Sequence, residues 1–533
     1  MNKVRPPAWA TLAVLAGWGC ALLGAAAPAA ASTTQLAMLE SPNIQYQDPA
    51  VQLALLRSLG VDILRVPVVW SSIAPDPSSR TAPQFNAADP AAYPAANWSP
   101  YDRLLTEAAA DGIAVDLMPT GGAPLWATAS GAPPCTTVGG LVPVCFDSDF
   151  FPDPAAYGQF VEAVGTRYSG SYVPPGSTSA LTRASFWEPW NEANWGPSLT
   201  PQYYHSSVPV SARIYRGLLD AAWSGLQQTG HAGDTIISSG LSQSGSAPVG
   251  ERGTSAPLTF LRALYCVGGS FRELRGAAAR EAGCPMSRSG YRRFRADNPV
   301  LFRLSGVGIH PYPYGEPPTK AQYPNPNDVE FAELPQLITT IDRLQRAYGS
   351  RARMKIYNTE YGYLSGYTSL QNEAKYLNWA EYLSWKNPRI ASFDQFELVD
   401  ATWFPSGLIT STGDPKPSFY AYQLPVWLPV TATRRGRALE VWGDARAAQF
   451  ATADGYGTQY VWIQFKRGGT EQYRNLERVR IANPRGYFEV RVRFPSSGAV
   501  RLAWEYPASD PQWFDPLDVG QPIYSRVTDV SLR

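Results

Sequence analysis

A chain of 533 residues exceeds what one ordinary core can organise, so at least two domains are expected. With 44% hydrophobic and 12% aromatic residues it has ample apolar volume, which excludes disorder as a description of the whole. A formal net charge of +1 with no long basic run lacks the electrostatic footprint of nucleic-acid binding, so no nucleic-acid partner is expected; neutral ligands such as sugars suit the aromatic content better.

In chain order, Lys3 and Arg5 precede an apolar stretch over residues 8–23, and Ala29-Ala30-Ala31 offers a small-residue cleavage site. Residues 1–31 therefore read as an export signal of a secreted, extracellular protein. The apolar stretch is too interrupted for a membrane span, and nothing later approaches one. Gly17-Trp18-Gly19 before Cys20 is a poor lipid-attachment pattern. Beyond the signal stand Cys135, Cys145, Cys266 and Cys284, an even set that implies two disulfides. Pairing of nearest neighbours, Cys135–Cys145 and Cys266–Cys284, closes two short loops and is preferred among the three pairings. Three histidines and no C-x-x-C argue against zinc, and neither a metal nor a cofactor is expected.

From 35 to 422, short β-branched and aromatic runs alternate with longer amphipathic segments. Strands are expected at 35–40, 62–66, 114–118, 184–190, 235–238, 306–310, 355–359 and 390–396. Helices are expected at 48–59, 101–112, 154–168, 212–228, 334–348 and 371–385. Eight such alternations predict a (β/α)8 TIM barrel over 32–425. An open doubly wound sheet is the alternative, but the glycine fingerprint expected after its first strand is missing. After 425 the texture changes to strands at 439–442, 460–465, 478–481, 488–494 and 500–504 with no helix between them, which predicts a C-terminal antiparallel β-sandwich domain over 426–533. Trp442, Trp462 and Trp504 lie on those strands, as core residues or as sugar platforms.

Two segments carry chemistry. An apolar strand ending in Trp190-Asn191-Glu192 and a second ending in Asn358-Thr359-Glu360 each place a carboxylate at the C-terminal mouth of the barrel. They follow strands four and seven, which sit across a closed eight-strand barrel, so the two carboxylates can face each other over a cleft. Glycoside cleavage needs that pair: one carboxyl protonated for the leaving sugar, the other to attack or to activate water. A lone Glu at a strand end is usually a surface or ion-paired residue; two in these places are much harder to obtain by chance. Glu188 is a rival, since period two puts it on the face of Glu192, and it reads as a deeper ion-pair member. Asp394, Glu397 and Asp400 around the eighth strand are further candidates for the cleft lining.

The barrel segment, over 35–422, resembles the clan A glycoside hydrolases, most closely family 39 and next the family 5 cellulase-like enzymes. That resemblance rests on Asn191-Glu192 after strand four and Glu360 after strand seven. It is extended by Arg65 after strand two, His310-Pro311-Tyr312 after strand six and Trp403 after strand eight. It implies Glu192 as acid/base and Glu360 as nucleophile, with carboxyl groups about 5–5.5 Å apart and retention of anomeric configuration. Arg65 would hold Glu360 ionised, or form a structural salt bridge inside the barrel. Asn191 would bond the sugar 2-OH, Tyr312 would donate to Glu360, and His310 would contact the sugar or Glu192. Trp126 and Trp403 would offer flat faces to a sugar ring. The expected partner is a polysaccharide or oligosaccharide. A transglycosylase on the same site and a carbohydrate-binding barrel without turnover are the alternatives. The loops over 121–153 and 240–301, each with one disulfide, and the Pro-rich stretch 311–326 would wall the cleft.

Overall fold

The computed structural model describes residues 31–138, 142–204, 207–245, 252–322, 325–507 and 522–533. The expected export signal, Cys20 included, lies outside them except for Ala31. Eight parallel strands close into a barrel: β1 (Leu36–Glu40), β2 (Ile63–Val69), β3 (Ala114–Thr120), β4 (Phe186–Trp187), β5 (Thr235–Ser242), β6 (Gly306–His310), β7 (Lys355–Asn358) and β8 (Ile390–Phe396). Each pairs with its neighbours in the chain, and β8 closes on β1 with Leu36 opposite Ser392 and Glu40 opposite Phe396. Burial on both faces explains the nearly continuous apolar runs, such as Ile63-Leu64-Arg65-Val66, with one charged side chain set into the interior. The closed barrel is the expected architecture; the open doubly wound sheet is not formed.

Some helices start at a side-chain cap. Asp153 caps Pro154–Arg167 by accepting from the Ala155 and Ala156 amides, with Pro154 preset for the first turn. Ala95–Ala110 begins six residues ahead of the expected start and runs through Pro100. The carbonyl of Ala96 that Pro100 cannot bond accepts instead from the Ser99 hydroxyl at 3.1 Å. The 240–301 segment, expected as a loop, contains helices Pro257–Leu264, Gly276–Glu281 and Arg288–Asp297. The last is capped by Ser287 and buries Tyr291 and Phe294. Both disulfides form with nearest-neighbour pairing, Cys135–Cys145 and Cys266–Cys284.

The C-terminal segment makes a sandwich of two sheets. One is three-stranded, Val426–Trp427, Leu439–Asp444 and Tyr487–Val492, and antiparallel throughout. The other runs in the order Ala432–Thr433, Thr528–Leu532, Gly498–Glu505, Tyr460–Arg467 and Arg474–Arg480, with Pro522–Tyr524 also paired to Gly498–Glu505. Its first pair is parallel, and a short helix, Ala448–Ala453, stands where none was expected. Val441, Phe488, Val461, Ile463 and Leu502 fill the space between the sheets. Trp442 and Trp504 are core residues, whereas Trp462 is 36% exposed.

The sandwich is joined to the barrel by buried polar contacts at the turn before β2, the opposite end from the strand mouths. Asp62 accepts from Gln449 and Arg485, both at 2.7 Å. Arg446, wholly buried, bonds Glu381 at 2.6 Å and Asp444 at 3.2 Å and lies over the Tyr422 ring. Gly60, at φ +76°, is required there: a Cβ would come within 2.2 Å of the Arg446 Cβ.

Candidate active site

The segment after β4 shows how a sequence can aim a carboxylate. The amides of Glu188 and Trp190 still bond β3, at Leu117 and Pro119, in extended register. Trp190 at φ 75° and Glu192 at φ 40° then adopt left-handed backbone, which side chains with a Cβ rarely do. This turns the chain across the barrel, and the Glu192 amide bonds the carbonyl of Gly240 on β5 at 3.0 Å. The expected strand over 184–190 is thereby shortened to two residues. The cost of two left-handed residues is local strain held at a site, a signature of function.

Arg65, fully buried on β2, organises the interior. Its Nε donates to Glu188 Oε2 at 2.8 Å and its Nη2 to Asn191 Oδ1 at 2.8 Å, with a longer contact to Glu188 Oε1 at 3.3 Å. Its Nη1 donates to Glu360 Oε1 at 2.6 Å and to Glu40. One planar fork thus supplies four oxygen-bearing side chains at once, besides the Met118 sulfur at 2.7 Å, which a lysine could not do. Asn191 is fixed with its oxygen toward Arg65, which leaves its Nδ2 donor without a partner among the described residues at the rim of the cleft. Arg65 thus touches Glu360 and also closes an ion pair with Glu188 inside the barrel.

Glu360 and Glu192 differ in their donors. Glu360 receives Arg65 on one oxygen and the Tyr312 hydroxyl on the other at 3.0 Å. Among the described residues Glu192 has only His310, whose Nδ1 lies 2.9 Å from Glu192 Oε1 and 3.3 Å from Glu360 Oε2. Burial, with the Arg65 charge adding to it, pushes His310 well below the ordinary histidine range, so the imidazole is neutral. Its Nε2 is buried without a partner among the described residues, facing Gly240. A buried lone pair is cheaper to orphan than an N–H, which assigns the proton to Nδ1, pointing at the carboxyls. Burial raises both glutamates. Glu192 goes well above the carboxylate range, pushed further by the Glu360 charge. Glu360 reaches only about 8, because Arg65 and Tyr312 pull against burial. When the pair holds one proton, it therefore sits on Glu192.

The cleft above the pair encloses about 400 Å³. Trp403, 63% exposed, and Phe404 form one side, and Trp195, Gln243 and Tyr314 another. One atom from each of Glu192, His310 and Glu360 lies within 4.8 Å of the others, close enough to grip a cation. The permanent charge of Arg65 against Glu360 opposes that use.

No protein-family model matches the chain, and no curated protein does either. Among solved structures it is similar to a family 39 glycoside hydrolase from Bacteroides cellulosilyticus WH2, at 16% identity over 86% of this chain and 80% of that one, with a TM-score of 0.45. It is also similar to a glucosidase from Croceicoccus marinus, at 10% identity over 87% and 94%, with a TM-score of 0.46. A third is the endo-β-1,4-mannanase from Thermotoga petrophila, at 11% identity over 94% and 98%, with a TM-score of 0.41. The chemistry of the cleft is read from its own residues.

Of the residues singled out in the sequence, Arg65, Asn191, Glu192, His310, Tyr312, Glu360 and Trp403 come together here. Trp126 does not. Its turn is pinned by the Leu125 amide on Pro77, and its indole N–H is given to the Pro75 carbonyl at 3.1 Å. It packs edge-on against Trp70 and Phe85 and borders a separate depression with Phe151. Asp400 is held by Lys416 at 2.7 Å, away from the cleft, and Asp394 and Glu397 lie beneath it in the interior. Glu188 is the deeper ion-pair member expected from its period. Sequence reasoning missed Glu40, Trp195, Gln243, Tyr314 and Phe404. Glu40 had a signal, since it ends β1 as Glu192 and Glu360 end their segments.

Proposed function

We propose that the chain is a secreted retaining glycoside hydrolase that cleaves O-glycosidic bonds of an oligosaccharide or polysaccharide by double displacement. The observation that carries this reading is a pair of buried carboxylates with oxygens within 4.8 Å, unequally supplied with donors, at the mouth of the barrel. Retaining enzymes keep the two groups about 5–5.5 Å apart, and inverting enzymes about 6.5–9.5 Å. So close an approach of single oxygens supports the former.

Glu192, holding the proton, delivers it to the glycosidic oxygen while ionised Glu360 attacks the anomeric carbon, so that the C–O bond to the leaving sugar breaks as the ester forms. Esterification removes the Glu360 charge, and with it one of the pressures that kept Glu192 protonated. Glu192 then serves as base for the incoming water, whose attack releases Glu360 and the sugar with its original configuration. Asn191 Nδ2 is available for the 2-hydroxyl, and Trp403 for a sugar face. The two disulfides suit an oxidising compartment, which supports export through residues 1–31.

The test is a screen of chromogenic glycosides and polysaccharides, with proton NMR of the first-formed anomer. Glu360→Gln should abolish turnover. Glu192→Gln should spare the first step only for substrates with acidic leaving groups. An inverted first product, near-normal turnover by Glu360→Gln, or activity lost to a chelator and restored by a divalent cation would each sink the proposal.

A further inference from the structure

Six arginines gather at one end of the sandwich around a concavity of about 1180 Å³. Arg434, Arg435 and Arg437 come from the turn that joins the two strands Ala432–Thr433 and Leu439–Asp444. Arg491 and Arg493 come from the end of Tyr487–Val492, and Arg533 follows Thr528–Leu532. The other lining residues are Ala, Thr and Gly, with no carboxylate among them. All six side chains are exposed, and among the described residues none has an ion-pair partner. Some surface arginines elsewhere do find one, as Arg80 does in Asp147 and Arg183 in Asp234.

The cluster is held in place by neutral groups. The Arg437 amide bonds the Arg434 carbonyl at 3.1 Å across a turn whose third residue, Gly436, sits at φ 79°, a value that favours glycine. Arg493 Nε donates to the Gly436 carbonyl and Arg491 Nη2 to the Ala438 carbonyl, each at 3.2 Å. The Arg435 amide bonds the Arg533 carbonyl at 3.2 Å. These contacts orient guanidinium groups without neutralising them, so like charges stay concentrated over an open hollow. Residues 426–533 carry 15 Lys and Arg against 11 Asp and Glu, whereas 32–425 carry 28 against 33. The near-zero net charge is an average over two unlike parts.

We infer that this arginine-lined hollow is a binding site for an acidic polysaccharide, one that repeats carboxylate or sulfate groups along its chain. A guanidinium fork matches either group with two parallel hydrogen bonds, and a linear polyanion can meet several forks at once. The hollow has no aromatic residue on which bases could stack and no large apolar residue to enter a bilayer, which disfavours single-stranded nucleic acid and a membrane surface. The choice of a glycan among polyanions rests on the glycosidase reading of the barrel.

The test measures binding of the full chain to polygalacturonate, dextran sulfate, a neutral glucan, duplex DNA and phosphatidylcholine–phosphatidylglycerol vesicles. One or both acidic glycans should bind in a salt-sensitive way and the neutral glucan should not compete. Arg491→Gln with Arg493→Gln should weaken acidic-glycan binding about 10-fold, and adding Arg434→Gln, Arg435→Gln and Arg437→Gln about 100-fold or more. All variants should keep the wild-type unfolding temperature and the wild-type rate on small chromogenic glycosides. Preference for carboxylate or sulfate is read from the two acidic arms. Equal binding of neutral glucan, undiminished binding by the five-fold variant, or DNA or vesicles bound as tightly as the acidic glycans would each overturn the inference. Acidic-glycan binding that depends on these arginines in a chain that hydrolyses no glycoside would leave this site standing and remove the catalytic reading.

Discussion

Removing the Tyr312 hydroxyl tests whether the two carboxyls are made unequal by their donors. In Tyr312→Phe, Glu360 keeps Arg65 on Oε1 but loses the 3.0 Å bond to Oε2. A hydrogen bond to a charged group contributes about 1.5–3 kcal/mol, and one pKa unit corresponds to about 1.4 kcal/mol. Glu360 should therefore rise by about one to two units, from a position that burial has already lifted to about 8. Part of that rise is offset if His310 Nδ1, 3.3 Å from the same oxygen, moves in. Glu360 must be ionised to attack, so the acidic limb of kcat/KM shifts upward and activity at neutral pH falls about 10- to 100-fold. At pH values above the shifted limb most of the rate returns. The assay is a pH profile of kcat/KM on a chromogenic glycoside, with thermal unfolding as a control. A uniform loss at every pH with the acidic limb unmoved would refute the reasoning, because Tyr312 would then be acting on substrate instead of on Glu360.

Three other perturbations follow from the same geometry. Gly240→Ala places a Cβ 2.0 Å from His310 Nε2 and 2.6 Å from Thr359 Oγ1; it should cost about 1–3 kcal/mol and cut turnover at least about 10-fold by displacing the imidazole from Glu192, as kinetics and denaturant unfolding would show. Arg446→Ala leaves Glu381 and Asp444 buried beside each other without their cation, so the unfolding free energy should fall by about 3–5 kcal/mol while the pH–rate profile keeps its shape. Asp394 is buried with no side-chain partner among the described residues, and burial followed by the Glu40 charge holds it well above the ordinary range. Its folded form thus binds a proton more tightly than its unfolded form, and the resulting stability is lost as pH rises. Asp394→Asn should accordingly gain on the wild type in thermal unfolding between pH 4 and pH 8, and a flat difference would show the carboxylate to be paired.

The barrel was legible because parallel strands buried on both faces leave apolar runs, and because two of its segments end in a carboxylate after Asn or Thr. What sequence misread has particular causes. Ser239 and Gly240 are poor strand formers, and the strand expected at 235–238 in fact runs to 242; burial overrides propensity, and Gly240 is demanded by the imidazole packed against it. Trp126 looked like a platform because a tryptophan in a Pro-rich loop can be one, but its indole N–H had a carbonyl partner that no local pattern reveals. Gln243, Tyr314 and Phe404 reach the cleft only through tertiary placement of the loops and of the end of β5. The arginine hollow was invisible for another reason: six residues from three separate segments converge there, and a chain-wide charge of +1 cancels them against the acidic barrel.

The division of labour between Glu192 and Glu360 was implied by the resemblance to clan A enzymes, yet a resemblance has no physical force. Both are glutamates at strand mouths, and both are buried. What separates them is the number of positive or protic groups each meets. Glu360 has two strong donors, one a permanent cation, whereas Glu192 has one neutral imidazole. Arg65 is the source of that difference, and it is a limited one, because its donors are also shared among Glu40, Glu188 and Asn191. Releasing one of those claims would change the supply to Glu360. Glu188→Gln keeps the shape but removes the charge, and it should leave Arg65 more strongly committed to Glu360 and Glu40. The acidic limb should then move downward, opposite in direction to Tyr312→Phe. Two variants that leave both glutamates in place and shift one limb in opposite directions would locate the catalytic asymmetry in the donor network. If both moved it the same way, general disorder of the interior would be the better account.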